Sequence, residues 1–237
     1  MRIILIGFIY GVYMIHLFFA GVGIRMMTFF GNGKRVEVYK TKKFLNWAKF
    51  TVNILGLRVT YEGQDNIPDE TCVFIGNHQS ILDIPVLICG ANRRIGFIAK
   101  KELLKVPILG FWFKIVHCVP IDRENVREAI KAINEGVENL KNGHSMAIFP
   151  EGTRSKDGNI NEFKKGSLKL ATKANVPVIP VTIDGAFRAY EEKKKFKSAD
   201  IKVMFGKPIY PQNLSKEEIK DLSKIVHDEI ANNLNKL

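Results

Sequence analysis

Two residues capable of acid–base chemistry stand five apart, His78 and Asp83, in the run Gly76-Asn77-His78-Gln79-Ser80-Ile81-Leu82-Asp83. A buried-looking stretch, 72–75, stops at Gly-Asn, and a helix is expected to begin near Ser80. His78 then sits at the carboxyl end of a strand, where open α/β sheets place their ligands. Asp83, about one helical turn in, can reach back to one imidazole nitrogen. That contact would fix the tautomer and leave the other nitrogen free as a general base, a contribution of about 10²–10⁴-fold in rate. The same spacing also suits a capped helix with a hydrogen-bonded histidine and no chemistry, which is the commoner arrangement for a lone pair.

A second run, Phe149-Pro150-Glu151-Gly152-Thr153-Arg154-Ser155, follows the apolar stretch 146–149. Its small residues let backbone N–H groups approach an anion, and Arg154 supplies a planar fork for phosphate. Phe163-Lys164-Lys165-Gly166 adds basic residues downstream. A turn with a surface arginine would read the same way. The third region combines Lys100-Lys101-Glu102-Leu103, Pro107, Gly110 and Ile121-Asp122-Arg123 with Phe97, Phe111, Trp112 and Phe113. It fits a phosphate head beside a greasy tail, and equally an amphipathic helix pair.

Taken in order, these residues resemble the glycerolphosphate acyltransferase superfamily, specifically its bacterial 1-acylglycerol-3-phosphate O-acyltransferases. The NHxxxxD element falls on Asn77, His78 and Asp83. The second block falls on Lys100, Leu103, Pro107, Gly110 and Ile121-Asp122-Arg123. FPEGTRS is complete at 149–155, and Val176-Pro177-Val178-Ile179-Pro180-Val181 matches the fourth block. His117-Cys118 departs from the family pattern.

The resemblance implies transfer of an acyl group from a thioester, on acyl carrier protein or coenzyme A, to the 2-hydroxyl of lysophosphatidic acid. His78 would be the base and Asp83 its support, with no enzyme nucleophile, no cofactor and no metal. The acceptor phosphate would be held by Arg123, Glu151, Gly152, Thr153 and Arg154, with Lys100 beside them; alternatively, Glu151 orients a basic neighbour. Ser80 and Cys72 are then structural, and 176–181 is a core strand without a catalytic role.

The elements that must position these residues follow from the rest of the chain. Short β-rich runs at 58–61, 72–75, 95–99, 116–121, 146–149, 178–183 and 201–205 alternate with helical stretches. Val126, Ile130, Ile133, Val137 and Leu140 recur at helical spacing. Ser215 with Glu218 forms a capping box ahead of Ile219, Leu222, Val226 and Ile230. The expected domain, 57–237, is a mixed, largely parallel α/β sheet flanked by helices. The lysine-rich run 191–197 reads as a solvated surface turn.

Ahead of that domain, 3–24 is a stretch of 22 residues without Lys, Arg, Asp or Glu, about 33 Å as a helix, a length that suits a single spanning helix as well as one lying in one leaflet. The run 42–57 carries a thin polar stripe, Asn46, Lys49 and Asn53, in an otherwise apolar surface with Trp47, an interfacial pattern. A core helix packed on the domain would look similar. Residues 1–56 are therefore expected to form a two-helix membrane-associated module, turning back at 31–33, with Lys34, Arg35, Lys40, Lys42 and Lys43 on the cytoplasmic side of the cell membrane. A cleaved signal peptide is disfavoured, because no small-x-small site follows and three scattered cysteines suit a reducing compartment.

The chain of 237 residues holds 36 Lys+Arg against 24 Asp+Glu, a net charge of +12, with 46% hydrophobic residues. That apolar content excludes disorder, and the charge calls for a polyanionic partner. An anionic membrane surface, a phosphorylated substrate and acidic acyl carrier protein all qualify. Nucleic acid is not expected, since no nucleic-acid-binding signature accompanies the basic residues. A metal-dependent hydrolase using His78 and Asp83 as ligands lacks the third ligand that zinc sites usually take.

Overall fold

Seven runs rich in β-branched and aromatic residues pair into one sheet. They are β1 (Arg58–Glu62), β2 (Val73–Gly76), β3 (Gly96–Lys100), β4 (Val119–Ile121), β5 (Met146–Ile148), β6 (Val178–Asp184) and β7 (Asp200–Phe205). The structure is a computed structural model that describes every residue except Met1, Asn32, Arg123, Glu124 and Lys165. The sheet order is β1-β7-β6-β2-β5-β3-β4. Strands β2 to β6 run parallel, β7 pairs antiparallel with β6, and β1 runs parallel to β7. The mixed, largely parallel sheet is thus as the alternation of elements predicts.

Because β2 is flanked on both sides, all four of its residues are buried, which is why it reads as an unbroken apolar run. Phe74 faces one core with Ile179 and Val181, under α2 (Gly33–Ile54) and α3 (Asp83–Ala91). Val73 and Ile75 face the other, under α5 (Val126–Lys141), α6 (Lys169–Ala174) and α8 (Lys216–Leu234). The expected capping box opens α8: the Glu218 N–H donates to Ser215 Oγ at 3.2 Å and the Ser215 N–H to Glu218 Oε2 at 2.7 Å.

Three expectations shift. The strand expected over 116–121 shortens to β4, because α4 (Pro107–Ile115) runs up to it and His117 turns the chain with φ +58°. The buried face of α5 is Ala132, Gly136, Val137 and Leu140, while Val126 and Ile130 are exposed. The helix lies so close to α6 that a Cβ on Gly136 would stand 2.6 Å from Leu170. Similarly, Ile219 of the α8 stripe faces solvent.

The N-terminal pair forms α1 (Arg2–Phe29) and α2. Leu17, Ala20 and Ile24 of α1 pack on Val36 and on Trp112 of α4, whose indole N–H reaches the Leu17 carbonyl at 3.3 Å. The other side of α1 exposes Ile4, Phe8, Phe19 and Phe29. Among the described residues, α1 alone is long and apolar enough to cross a membrane by length and composition, over Ile3–Phe29. In α2 the expected polar stripe, Asn46, Lys49 and Asn53, is exposed. Its Phe44, Ala48 and Val52 enter the core beneath the sheet. One face of α2 therefore continues the core of the domain that follows it.

Candidate active site

Strands β2 and β5 lie side by side with Ile75 opposite Ile148. His78 and Glu151 each come three residues after that pair, so two motifs 73 residues apart meet at one sheet edge. The His78 N–H donates to Glu151 Oε1 at 2.6 Å, and the Ser155 N–H donates to the His78 carbonyl at 2.8 Å. The imidazole lies on the Phe149 ring, with centroids 4.3 Å apart and planes at 12°. Asn77 holds the other side: its amide donates to the Ile183 carbonyl and accepts the Ile183 N–H, both at 2.8 Å. That exchange extends the β2–β6 pairing past the end of the strand.

The helix after His78 begins at Asp83 instead of near Ser80. Asp83 is thus the first helical residue, and the loop before it wraps around its carboxylate. Its Oδ2 accepts the N–H groups of Gln79 at 2.7 Å and Ser80 at 2.8 Å, and lies 2.7 Å from His78 Nδ1. An ionised carboxylate has no proton to give, so Nδ1 is the donor in that contact. The lone pair is thereby placed on Nε2, which has no partner among the described residues. Asp83 is fully buried while the His78 side chain keeps 12% of its surface open. An anchored carboxylate behind an accessible imidazole is the geometry of a general base.

The second motif wraps the first. Gly152 adopts φ +71°, a left-handed backbone conformation that favours glycine, and the flexible end of the Lys164 side chain lies over it. Both oxygens of Glu151 are engaged, Oε1 with His78 and Oε2 with the Asn161 backbone and side-chain N–H groups at 3.0 and 2.7 Å. Burial raises the Glu151 pKa above the usual range despite those donors. As placed, Glu151 braces the backbone of His78 and does not present a face to a ligand. Thr153 is exposed and Arg154 partly so. Lys100, at the end of β3, is exposed 3.8 Å from Glu102. Arg123 lies outside the described residues.

The run 191–197 is not wholly a solvated turn, for Glu191 is buried to 3% exposure. Its Oε1 accepts from Arg154 Nη1 at 2.6 Å and from the Ile81 N–H at 3.4 Å, and its Oε2 from Lys194 at 2.8 Å. Burial alone would raise its pKa, but the Lys194 hydrogen bond and the Arg154 charge outweigh it and hold Glu191 ionised. Glu191 therefore ties the arginine of one motif to the loop of the other. Nothing local in the lysine-rich run marks it for that position.

Beside the dyad opens an apolar cavity of about 650 Å³. Ile81 and Leu82 of the His78 loop form part of its wall, with Phe97 and Ala99 of β3, Phe113 of α4, and Tyr10 and Trp47 of the N-terminal pair. Phe97 stacks on Phe149 at 6.4 Å, and Phe149 on His78, so the aromatic wall leads to the imidazole. A polar seam in its wall is Trp47 Nε1 donating to the Tyr10 hydroxyl at 3.0 Å, with Thr51 Oγ1 3.3 Å beyond; Lys43 also lines the cavity. The thiols are poor nucleophiles: burial pushes Cys72 and Cys89 up to about 11 and Cys118 to about 12.

Comparison with known proteins agrees with this arrangement. The family model described as Acyltransferase matches residues 58–184. A probable 1-acyl-sn-glycerol-3-phosphate acyltransferase of Mycoplasma pneumoniae is 30% identical over 202 residues, covering 80% of this chain and 76% of its own. A chloroplastic 1-acyl-sn-glycerol-3-phosphate acyltransferase of Brassica napus is 34% identical over 168 residues, 69% of this chain; the matched part spans about half of that longer relative (48%). The crystal structure of the 1-acyl-sn-glycerophosphate acyltransferase PlsC from Thermotoga maritima superposes with a TM-score of 0.85 at 32% identity, covering 100% of this chain and 97% of that one. With its matched core running from β1 to the end of β6 and the His78–Asp83 pair inside it, the chain belongs to the acyltransferase family.

Proposed function

We propose that the protein transfers a fatty acyl group from an acyl thioester, on acyl carrier protein or coenzyme A, to the 2-hydroxyl of 1-acyl-sn-glycerol 3-phosphate. The product is phosphatidic acid, on the route to phospholipids. The observation that carries this reading is the His78–Asp83 pair, at 2.7 Å, opening beside an apolar cavity of about 650 Å³. His78 Nε2 takes the hydroxyl proton. The alkoxide adds to the thioester carbonyl, and the tetrahedral intermediate expels a thiolate, which recovers the proton from the imidazolium. Asp83 stabilises that imidazolium. A thioester is already activated, so a positioned base and backbone donors suffice, and the reaction calls for no cofactor and no metal.

The apolar cavity takes an acyl chain, and the phosphate of the acceptor lies toward Arg154, with the N–H groups of the 152–155 turn beside it. Lys100, Thr153 and Arg123 are the remaining groups assigned to that phosphate. The exposed side of α1 and the lysines of α2 rest against an anionic membrane on its cytoplasmic face. Acidic acyl carrier protein suits the same basic surface, and nucleic acid is not a partner in this reading.

Two changes test the two halves of the substrate. Arg154→Ala removes a charge-assisted contact worth about 1.5–3 kcal/mol, so the apparent Michaelis constant for lysophosphatidate should rise about 10–100-fold with kcat changing less. Monoacylglycerol, which lacks the phosphate, should be acylated equally poorly by both proteins. An unchanged constant would remove Arg154 from the phosphate site. Ala99→Trp narrows the cavity and should move chain preference to shorter acyl groups. Each excluded methylene costs about 0.8 kcal/mol, roughly fourfold in kcat/KM, and a chain-length series read by mass spectrometry would show the shift.

A further inference from the structure

A second cluster of polar groups lies at the opposite edge of the sheet. It surrounds a cavity of about 320 Å³ lined by Thr71, Arg94, Gly96, His117, His144 and Ser145, among others. Thr71, Gly96 and Ser145 sit at the amino ends of β2, β3 and β5, whereas His78 and Glu151 follow the carboxyl ends of β2 and β5. Four residues of β2 separate the two edges, about 13 Å at roughly 3.3 Å per residue.

One donor in this cavity lacks an acceptor among the described residues. Arg94 uses Nη2 on Glu37 of α2, at 2.6 Å, but its Nη1 is buried without a partner among the described residues. His117 and His144 stack face to face, centroids 3.7 Å apart and planes at 11°. Neither ring has a hydrogen-bond partner among the described residues, whereas the backbone around them is tied down: Asn139 donates to the His117 carbonyl, and the His144 N–H to the Asn139 carbonyl. His117 is held in the left-handed region, φ +58°, a conformation that costs a non-glycine residue of order 1 kcal/mol.

The surrounding charge is positive. Arg93 lines the cavity while its guanidinium binds the carbonyls of Pro68 and Glu70. Lys40 sits on Glu37 at 2.6 Å. Against Arg93, Arg94 and Lys40 stand Glu37 and Asp69, the latter on the cavity wall. The sum is +1 with both imidazoles neutral and +3 with both protonated.

We propose that this cavity binds a phosphate-type oxyanion, from a lipid headgroup or a free phosphate ester, through Arg94 Nη1 and the His117–His144 pair. A buried guanidinium N–H without an acceptor is costly, and an anion oxygen supplies one. Two stacked imidazoles next to arginine repel protons: burial, His144 and Arg94 lower His117 to about 4, and burial and Arg94 lower His144. The unfolded chain would take up a proton on His117 near pH 6.5 that the folded chain refuses. Stability should therefore fall as pH drops from about 6.5 toward 4, and a bound anion, by favouring the charged rings, should restore part of it. Thermal unfolding with and without phosphate reads that difference.

The decisive experiment is histidine ring NMR of the full chain in detergent, with the His117 and His144 signals assigned through His117→Gln and His144→Gln. One arm adds inorganic phosphate at about 10 mM, enough to fill a site of millimolar affinity. The other compares nanodiscs containing phosphatidic acid with nanodiscs of phosphatidylcholine alone. Both signals should move, and their titration midpoints should rise by about one pH unit, with Arg94→Gln abolishing the rise. Response to phosphate alone assigns a free ester, response to phosphatidic acid alone a headgroup, and response in both arms admits either source. Unchanged midpoints in both arms, or an equal rise in Arg94→Gln, would overturn the proposal. Should Arg94→Gln fail to fold, His144→Gln replaces it, and an undiminished rise at His117 in that protein counts against the site equally.

Discussion

His78→Ala should lower the turnover of acyl transfer by at least about 10²–10⁴-fold, the contribution of a positioned general base, while leaving a folded, membrane-associating protein. His78 touches the rest of the chain through four contacts. Its ring lies on Phe149 at 4.3 Å, its Nδ1 meets Asp83, its backbone N–H meets Glu151 and its carbonyl accepts the Ser155 N–H. The two backbone contacts survive the substitution. Losing the ring contact costs about 0.5–1.5 kcal/mol and the hydrogen bond to the buried Asp83 carboxylate about 1.5–3 kcal/mol, together below the stability of an ordinary domain, about 5–15 kcal/mol. Circular dichroism and liposome flotation should match the unaltered protein. Residual turnover within tenfold in detergent would remove His78 from the role of base.

Asp83→Asn should give the next largest loss, about 10²–10⁴-fold in kcat with a smaller change in KM. The side chain is fully buried, and its Oδ2 alone accepts from His78, Gln79 and Ser80. An asparagine can keep the amide oxygen at that position, so both backbone N–H groups stay satisfied and the loop keeps its shape. What it loses is the negative charge that holds the imidazole in one tautomer and stabilises the imidazolium during transfer. Asp83→Ala differs in kind: it strands two buried N–H groups, each costing about 1–3 kcal/mol. A fall in kcat with near-native melting for Asn, and a lowered melting temperature for Ala, separates the catalytic contribution from the structural one. An Asn variant that retains full turnover would leave His78 without need of its partner.

Much of this architecture is legible in the residues because it is local. The seven strands are short β-rich runs, the α8 cap is a four-residue pattern, and His78 and Asp83 are close enough in sequence to find each other within one loop. The start of α3 is among the differences, because the carboxylate of Asp83 gathers the N–H groups of Gln79 and Ser80 before the helix begins. What the residues conceal is non-local. Glu191 meets Arg154 across 37 positions, and its run of neighbouring lysines gives it the look of a solvated acid. Asn77 exchanges hydrogen bonds with Ile183 across 106 positions. Glu151 turns inward to the His78 backbone because β2 and β5 are neighbours in register, a pairing no single run displays.

The net charge of +12 divides accordingly. Some cations are bound to acids within the fold, as Lys40 and Arg94 are to Glu37. Arg154 is shared between Glu191 and the proposed phosphate. In the proposed function, the lysines exposed along α2 are the ones that meet a headgroup layer. Binding that depends on them should weaken with salt, because exposed charges are screened beyond about 10 Å at 0.1 M, whereas the apolar side of α1 should hold to lipid regardless.

Direct transfer to the acceptor hydroxyl by His78 is the step on which the proposed function rests. Its most direct test offers the purified protein lysophosphatidate labelled in the glycerol, together with acyl carrier protein and coenzyme A thioesters of several lengths, and identifies the labelled product. Labelled phosphatidic acid should form with at least one donor class and be lost in His78→Ala. Release of free fatty acid without labelled phosphatidic acid, or equal product from the His78→Ala protein, would contradict it.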